Sequence, residues 1–293
     1  PDRVGRRRDA PIAGRPTRPR QLATSAVGAP HGRELFAVVS NNSQKLAPMG
    51  RSYNHAMTDT TALDSFLDKW RLRWPEWRVV EVFVPDAQRE LALAWFALLQ
   101  EFTDAMNIAG DPLPADAKLA WWGEELRDWS RQRSRHPLGR VLEPHRAPWF
   151  ELAEALPVLI RMRDSQSEPA VVFDSVRPLA LAVAQVESAL FEHESTDALV
   201  QAISLQLLAA RLHETGNAAV PAALASQSST PASDWAAQLL QQWPARTDGA
   251  IPRRLSSALA RSRLQRFTAA EEGVAPLSPA RAVWLGWRAA RRR

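Results

Sequence analysis

The stretch from Val84 to Asp111, VPDAQRELALAWFALLQEFTDAMNIAGD, gathers the side chains of this chain whose types and spacing support chemistry. On a helix, Gln100, Asp104, Asn107 and Asp111 share one strip at steps of three and four, and Glu101 lies three residues before Asp104. Carboxylates and amides in a row are hard oxygen donors. One or two carboxylates, completed by phosphate oxygens of a substrate, are enough to hold Mg²⁺. Asp104, Asn107 and Asp111 are therefore candidate metal ligands, and Glu101 and Asp104 candidate catalytic groups. The same strip also fits a surface helix with a solvated polar stripe, and spacing alone leaves both readings open.

The helix that must position these groups is marked by its other face. Leu91, Trp95, Leu98, Leu99, Phe102 and Met106 recur at helical steps. Pro85 and Asp86 suit the first turn, where the dipole favours acids, and Gly110-Asp-Pro suits the stop. Before it, LDSFLDKWRLRW (63–74) predicts an amphipathic helix ended by Pro75, and 76–84 reads as a weak strand, a buried turn or a helix start. After it, helices are expected over 114–133, 148–162, 179–193, 198–214, 235–243, 254–267 and 279–291. Ser195-Thr-Asp caps the fourth of these, whose apolar face is Leu199, Ile203, Leu207 and Ala210. Pro169 and Pro178 mark a linker, and Gly216 to Ser233 a mobile loop of small residues. The expectation is an all-α single domain over 58–293.

Residues 1–56 carry six prolines, the run Arg6-Arg7-Arg8 and no tryptophan, whereas all twelve tryptophans follow Met57. They read as a disordered Arg/Pro-rich extension, with Met57-Thr-Asp as a fresh start. The chain has 293 residues, 45% apolar content and no cysteine, which excludes disulfides and thiolate chemistry. The longest apolar run, Leu91 to Leu99, is far short of the roughly 20 residues a membrane span needs. Basic charge sits at the ends. Residues 1–56 hold ten Lys+Arg against three acids (+7), 253–293 ten against two (+8), and 57–252 seventeen against twenty-seven (−10). An acidic body with basic ends argues against specific nucleic-acid recognition.

Phosphate-loop, dinucleotide, zincin and nucleophile-elbow motifs are absent, and the six histidines show no ligand spacing. His136 before Pro137 reads as a turn residue. One ordered set of features remains: Pro85, Arg89, Trp95-Phe96, the acidic turn Glu101 to Asp104, then Leu119-Ala-Trp-Trp-Gly-Glu-Glu-Leu126 and His136-Pro-Leu-Gly-Arg-Val-Leu142. This order resembles the squalene/phytoene synthase family of head-to-head prenyl transferases, most clearly over 85–165. The resemblance implies an isoprenoid-synthase-like helical bundle whose central cavity takes prenyl diphosphates bridged by Mg²⁺ to two Asp-rich walls. It implies substrate contacts for Arg89, Trp95, Phe96 and Arg211.

The chain departs from that pattern at the acids. Asp104 is followed four residues later by Ile108, and the stretch matching the second wall reads Leu208-Ala-Ala-Arg-Leu-His-Glu214, with no aspartate. Two diphosphates need several cations, each with oxygen ligands. The expectation is accordingly a relative that keeps the scaffold and has weakened or lost the reaction, acting as an isoprenoid-binding or assembly-type protein with no cofactor. The alternative is an active Mg²⁺-dependent enzyme in which Glu101, Asp104 and Asp111 face Glu214 or Asp197. Separately, Arg281 to Arg293 with Trp284 and Trp287 suits a helix on an anionic membrane surface. The expected place is the cytoplasm, with peripheral contact at the inner membrane. The sequence names no protein partner.

Overall fold

Helical periodicity governs the whole fold. The computed structural model describes residues 51–164, 168–267 and 276–291, with only the backbone for 51–61. In chain order the helices are α1 (Arg51–Arg73), α2 (Trp77–Val80), α3 (Asp86–Met106), α4 (Leu113–Trp129), α5 (Gly139–Leu142), α6 (Trp149–Ala155) and α7 (Pro157–Arg161). They continue with α8 (Pro169–Phe191), α9 (Asp197–Thr215), α10 (Ala222–Gln227), α11 (Pro231–Gln242), α12 (Ile251–Leu264) and α13 (Pro279–Arg291). No strand occurs among the described residues. The chain is all-α, and Gly50–Arg293 clusters as one unit.

The centre of the bundle is α3. Leu91 through Leu98 are all buried, and the helix packs against α1, α4, α5, α7 and α9. Around it, α8 pairs with α9 and α6, and α12 with α9 and α13. Six indoles, Trp77, Trp95, Trp122, Trp129, Trp149 and Trp235, are fully buried. Trp129 meets Trp122 and Trp149 edge to face, an arrangement that suits the ring quadrupoles.

Several expectations are corrected. Helix α1 begins at Arg51, so 51–56 belong to a helix; the disorder expected of the rest of the extension lies outside the described residues. The 76–84 stretch is α2 followed by a 3-10 turn, Glu81–Phe83. Instead of a linker ending at Pro178, α8 is a single helix with Pro178 inside it. Pro178 is exposed, so the helical hydrogen bond it forfeits leaves a carbonyl open to solvent rather than buried. By length and mean hydropathy (1.3) this is the one described helix apolar enough to cross a membrane, yet it carries Glu187 into the bundle core.

The segment Gly216 to Ser233 is likewise not a loop. It holds a 3-10 turn (Gly216–Ala219), α10 and the start of α11, pinned by buried Val220 and Ala232. Gly216, at φ +54°, closes α9 in a conformation that a side chain disfavours. At the other end of α9, Thr196 caps as expected, its hydroxyl accepting from the Leu199 N–H at 3.1 Å.

Candidate functional site: a central cavity and its arginines

A cavity of about 420 Å³ opens between α1, α3, α8, α9 and α12. Its walls follow from helical spacing. On α3 the lining positions are Phe96, Leu99, Gln100 and Thr103, at steps of three and four. On α9 they are Ile203, Gln206, Leu207, Ala209, Ala210, His213 and Glu214. Ile203, Leu207 and Ala210 of the apolar face read for α9 line this space, Leu199 does not, and Ala209 and Ala210 leave room in it. From α1 come Trp70 and Arg73, with Trp74 just past its end; from α12, Arg253, Ser256, Ala260 and Arg263; Val183 of α8 completes the wall.

Three guanidinium groups are set into this apolar surround, each opposite a glutamate. Arg253 is the deepest. Its Nε bonds both Glu187 oxygens (3.0 and 2.9 Å), and its Nη1 donates to Gln206 Oε1 at 2.7 Å. Glu187 also accepts from Trp95 Nε1 at 2.7 Å, and Gln206 donates to Ser256 Oγ at 2.8 Å. The Arg253 and Glu187 side chains are 2% and 0% exposed, which makes this an ion pair wholly removed from water.

Ten residues further along α12, about 15 Å by helical rise, Arg263 lies over the Trp74 ring at 3.8 Å. Its Nε donates to Glu76 Oε1 at 3.2 Å. Glu76 also accepts the Leu277 backbone N–H at 3.2 Å. Burial pushes the Glu76 carboxyl up, and the bonds from Arg263 outweigh it and hold it below the ordinary range. Arg73 pairs with Glu214, and both are half-exposed. Beside them, burial and the charges of Arg263 and Arg266 lower the His213 imidazole to about 4, so it is neutral at pH 7. His213 Nε2 is buried and has no hydrogen-bond partner.

The predicted site residues are divided by this geometry. Phe96 lines the cavity, stacked on Trp70 at 5.7 Å and under Arg253 at 5.3 Å. Trp95, adjacent in sequence, points the other way into the core and meets Glu187. Arg89 closes the turn before α3 by donating to the Glu81 and Val84 carbonyls, each at 3.1 Å, and does not line the cavity. Arg211 lies on the far side of α9 and donates to the Arg163 carbonyl at 2.9 Å. Burial and the neighbouring Arg163 charge lower its pKa.

The acids expected to hold Mg²⁺ do not converge. Glu101 is buried and meets two of the chain's three lysines, Lys118 at 2.6 Å and Lys69 at 2.8 Å. Burial raises its carboxyl, and the bonds from Lys118 and Lys69 more than reverse that. Asp104 is 3.1 Å from the same Lys69 and accepts from Gln100 Nε2 at 2.7 Å. Asp111 accepts the Leu113 N–H at 3.0 Å, and Asn107 keeps both amide atoms buried without a partner. Asp197 and Glu214 stand at opposite ends of α9, seventeen residues and about 25 Å apart. Among the described residues no three His, Cys, Asp or Glu side chains are grouped to hold a metal ion. Of the expected ligands, Asp104 has both oxygens taken by Lys69 and Gln100, while the Asn107 amide has no partner.

The W-x-x-E-L and His-Pro features serve structure. Glu125, fully buried, accepts the backbone N–H groups of Arg135 (2.6 Å) and His136 (2.8 Å) and Trp129 Nε1 at 2.9 Å. His136 sits among rings, 4.5 Å from Phe66 and 4.6 Å from Trp122, and burial lowers its pKa to about 4. It is thus a core residue as well as a turn residue. No protein-family model, curated protein or solved structure matches the chain.

Proposed function

We propose that this protein binds, without turning over, an elongated apolar ligand of the isoprenoid class that carries an anionic head group. One observation carries the reading: the cavity combines apolar and aromatic walls with guanidinium groups, while Glu101 and Asp104 are engaged by lysines outside it and Glu214, on its wall, is paired with Arg73. Trp70, Trp74, Phe96, Leu99, Ile203 and Leu207 suit a branched hydrocarbon. Arg73 suits phosphate oxygens, because the guanidinium fork matches them in pairs, while the fork of Arg263 is engaged by Glu76 and adds its positive charge.

The Arg73–Glu214 pair is half-exposed and worth little by itself, so a head group with more acceptor oxygens competes well for Arg73. The unpartnered His213 Nε2 adds a polar contact that a ligand would satisfy. The order of features over 85–165, read as a resemblance to squalene/phytoene synthases, is what favours the isoprenoid class over other amphiphiles.

The test is thermal unfolding of the full chain with farnesyl or geranylgeranyl diphosphate, with Mg²⁺ and with EDTA, alongside an assay for released pyrophosphate. Ligand at 100 times Kd stabilises by about 2.7 kcal/mol, a Tm rise of roughly 5 to 10 °C for a domain of this size. The rise is expected to be the same in EDTA, with no pyrophosphate, and to fall sharply in Ala210→Phe, which puts a ring into the cavity. No rise with either diphosphate overturns binding. EDTA-sensitive hydrocarbon and pyrophosphate would instead establish an active prenyl transferase.

A further inference from the structure

From the geometry of α13 we infer a second interaction surface, one that docks the protein on an anionic lipid surface. This helix has two faces of opposite character. Ala282, Gly286 and Ala289 are buried, at steps of four and three, in a helix that packs against α12, α2 and the turn after α2. The seat is close. A Cβ at Gly286 would stand 2.9 Å from the Phe83 ring and 3.0 Å from Val80. A small-residue stripe here explains how a helix this basic stays attached, and leaves its other side outward.

That other side carries Val283, Trp284 and Trp287, 45%, 52% and 46% exposed. At 100° per residue they occupy one arc of about 100°. Arg281 and Arg288 border the arc, and Arg291 reaches back over it. The Arg288 guanidinium lies 5.3 Å from the Trp284 ring centroid, and that of Arg291 4.8 Å from Trp287. Exposed tryptophans are costly in water and favourable at a lipid interface, where an indole spans the apolar and wet zones and arginine stems run alongside.

Charge selects the occupant. The described residues of α13 include no acid, and Arg292 and Arg293 follow in the sequence. On the elements against which it packs, Glu76 is turned inward to Arg263 and Glu81 is half-buried. Indoles ringed by guanidiniums complement a bilayer with phosphate head groups and a negative surface potential, where each arginine near the surface adds about fivefold in affinity.

The inference stands apart from the cavity reading, since it concerns another face and is read by another measurement. The full chain is sedimented with vesicles of phosphatidylcholine alone or mixed with phosphatidylglycerol, and compared with Trp284→Ser/Trp287→Ser and Arg288→Gln/Arg291→Gln. All four positions are exposed, so an unchanged Tm is expected in both variants and is checked. Pelleting is expected only with phosphatidylglycerol, weakening as salt rises. The arginine variant is expected to lose roughly thirtyfold in partitioning, and the tryptophan variant at least tenfold. Equal pelleting with both vesicle types, or partitioning unaltered in both variants, overturns the inference. Failure to pellet with either vesicle type also overturns it, and would leave the patch to an acidic protein surface.

Discussion

Glu187 is the residue on which the interior charge balance turns. It lies on an apolar helix, takes three N–H groups from Arg253 and Trp95, and has no access to water. Replacing one member of such a pair leaves the other charge buried and alone. Glu187→Ala is therefore expected to cost about 3–5 kcal/mol, measured by urea unfolding. Replacing both, as Glu187→Leu with Arg253→Met, is expected to be neutral or stabilising while removing the polar end of the cavity. A cost under about 1 kcal/mol for the single change would show that water reaches the pair. Phe96 entered through the family resemblance, since it lies off the apolar face read for α3, and nothing in the sequence marked Arg253, Arg263 or His213 as cavity residues. They belong to helices 100 residues or more away, and periodicity assigns a residue to a face without naming what the face meets. The surroundings of Glu101 were hidden for the same reason. Its spacing from Asp104 was visible, whereas the convergence of Lys69 and Lys118 depends on how α1 and α4 lie against α3.

At the scale of elements, the ends of helices make sharp predictions. Glu192 closes α8 at φ +54°, a left-handed conformation that costs a side-chain-bearing residue about 1 kcal/mol. Its side chain is exposed. Glu192→Gly should raise Tm by roughly 2 to 4 °C, whereas Gly216→Ala, with the same φ at the end of α9, should lower it by a similar amount. If both changes act in the same direction, backbone strain is not the cause. Two helix ends were legible, whereas the expected helix over 148–162 is two, α6 and α7, and α8 starts ten residues before its expected position 179. The bounds of α13 match the amphipathic pattern, and Thr196 caps α9 as its position implies. Prolines misled where they were read as stops: Pro178 sits inside α8, on its exposed side, where a missing N–H is tolerated. Small residues misled at 216–233, because the apolar contacts of Val220, Ala232 and Trp235 order a segment whose own propensities are weak.

For the whole molecule, pH tests the interior. His136 and His213 have pKa values lowered to about 4, below the ordinary 6.5 that they regain on unfolding. Unfolded chains therefore bind more protons between pH 6.5 and 4, and stability falls as pH drops through that window. The loss by pH 5 is on the order of 2 kcal/mol per histidine, and His213→Leu should remove about half of it. Glu76, Glu101 and Glu125, whose pKa values are lowered, begin to lose their contribution only below about 4.5, so the two groups separate in a titration of Tm. A flat Tm from pH 7 to 5 would mean that both imidazoles are protonated in the folded protein.

The bonds that Glu76 accepts from Arg263 and Leu277 have a further consequence, for biosynthesis. They join positions 187 and 201 residues apart. At ribosomal rates of about 5 to 20 residues per second, Glu76 waits on the order of 10 to 40 s for its first partner. Throughout that interval α1 and α3 can meet, but a carboxylate destined for burial must stay hydrated between them. The expectation is that the N-terminal helices complete their packing only once α12 has arrived, and equal protease resistance of ribosome-bound chains stalled before and well after residue 263 would refute it.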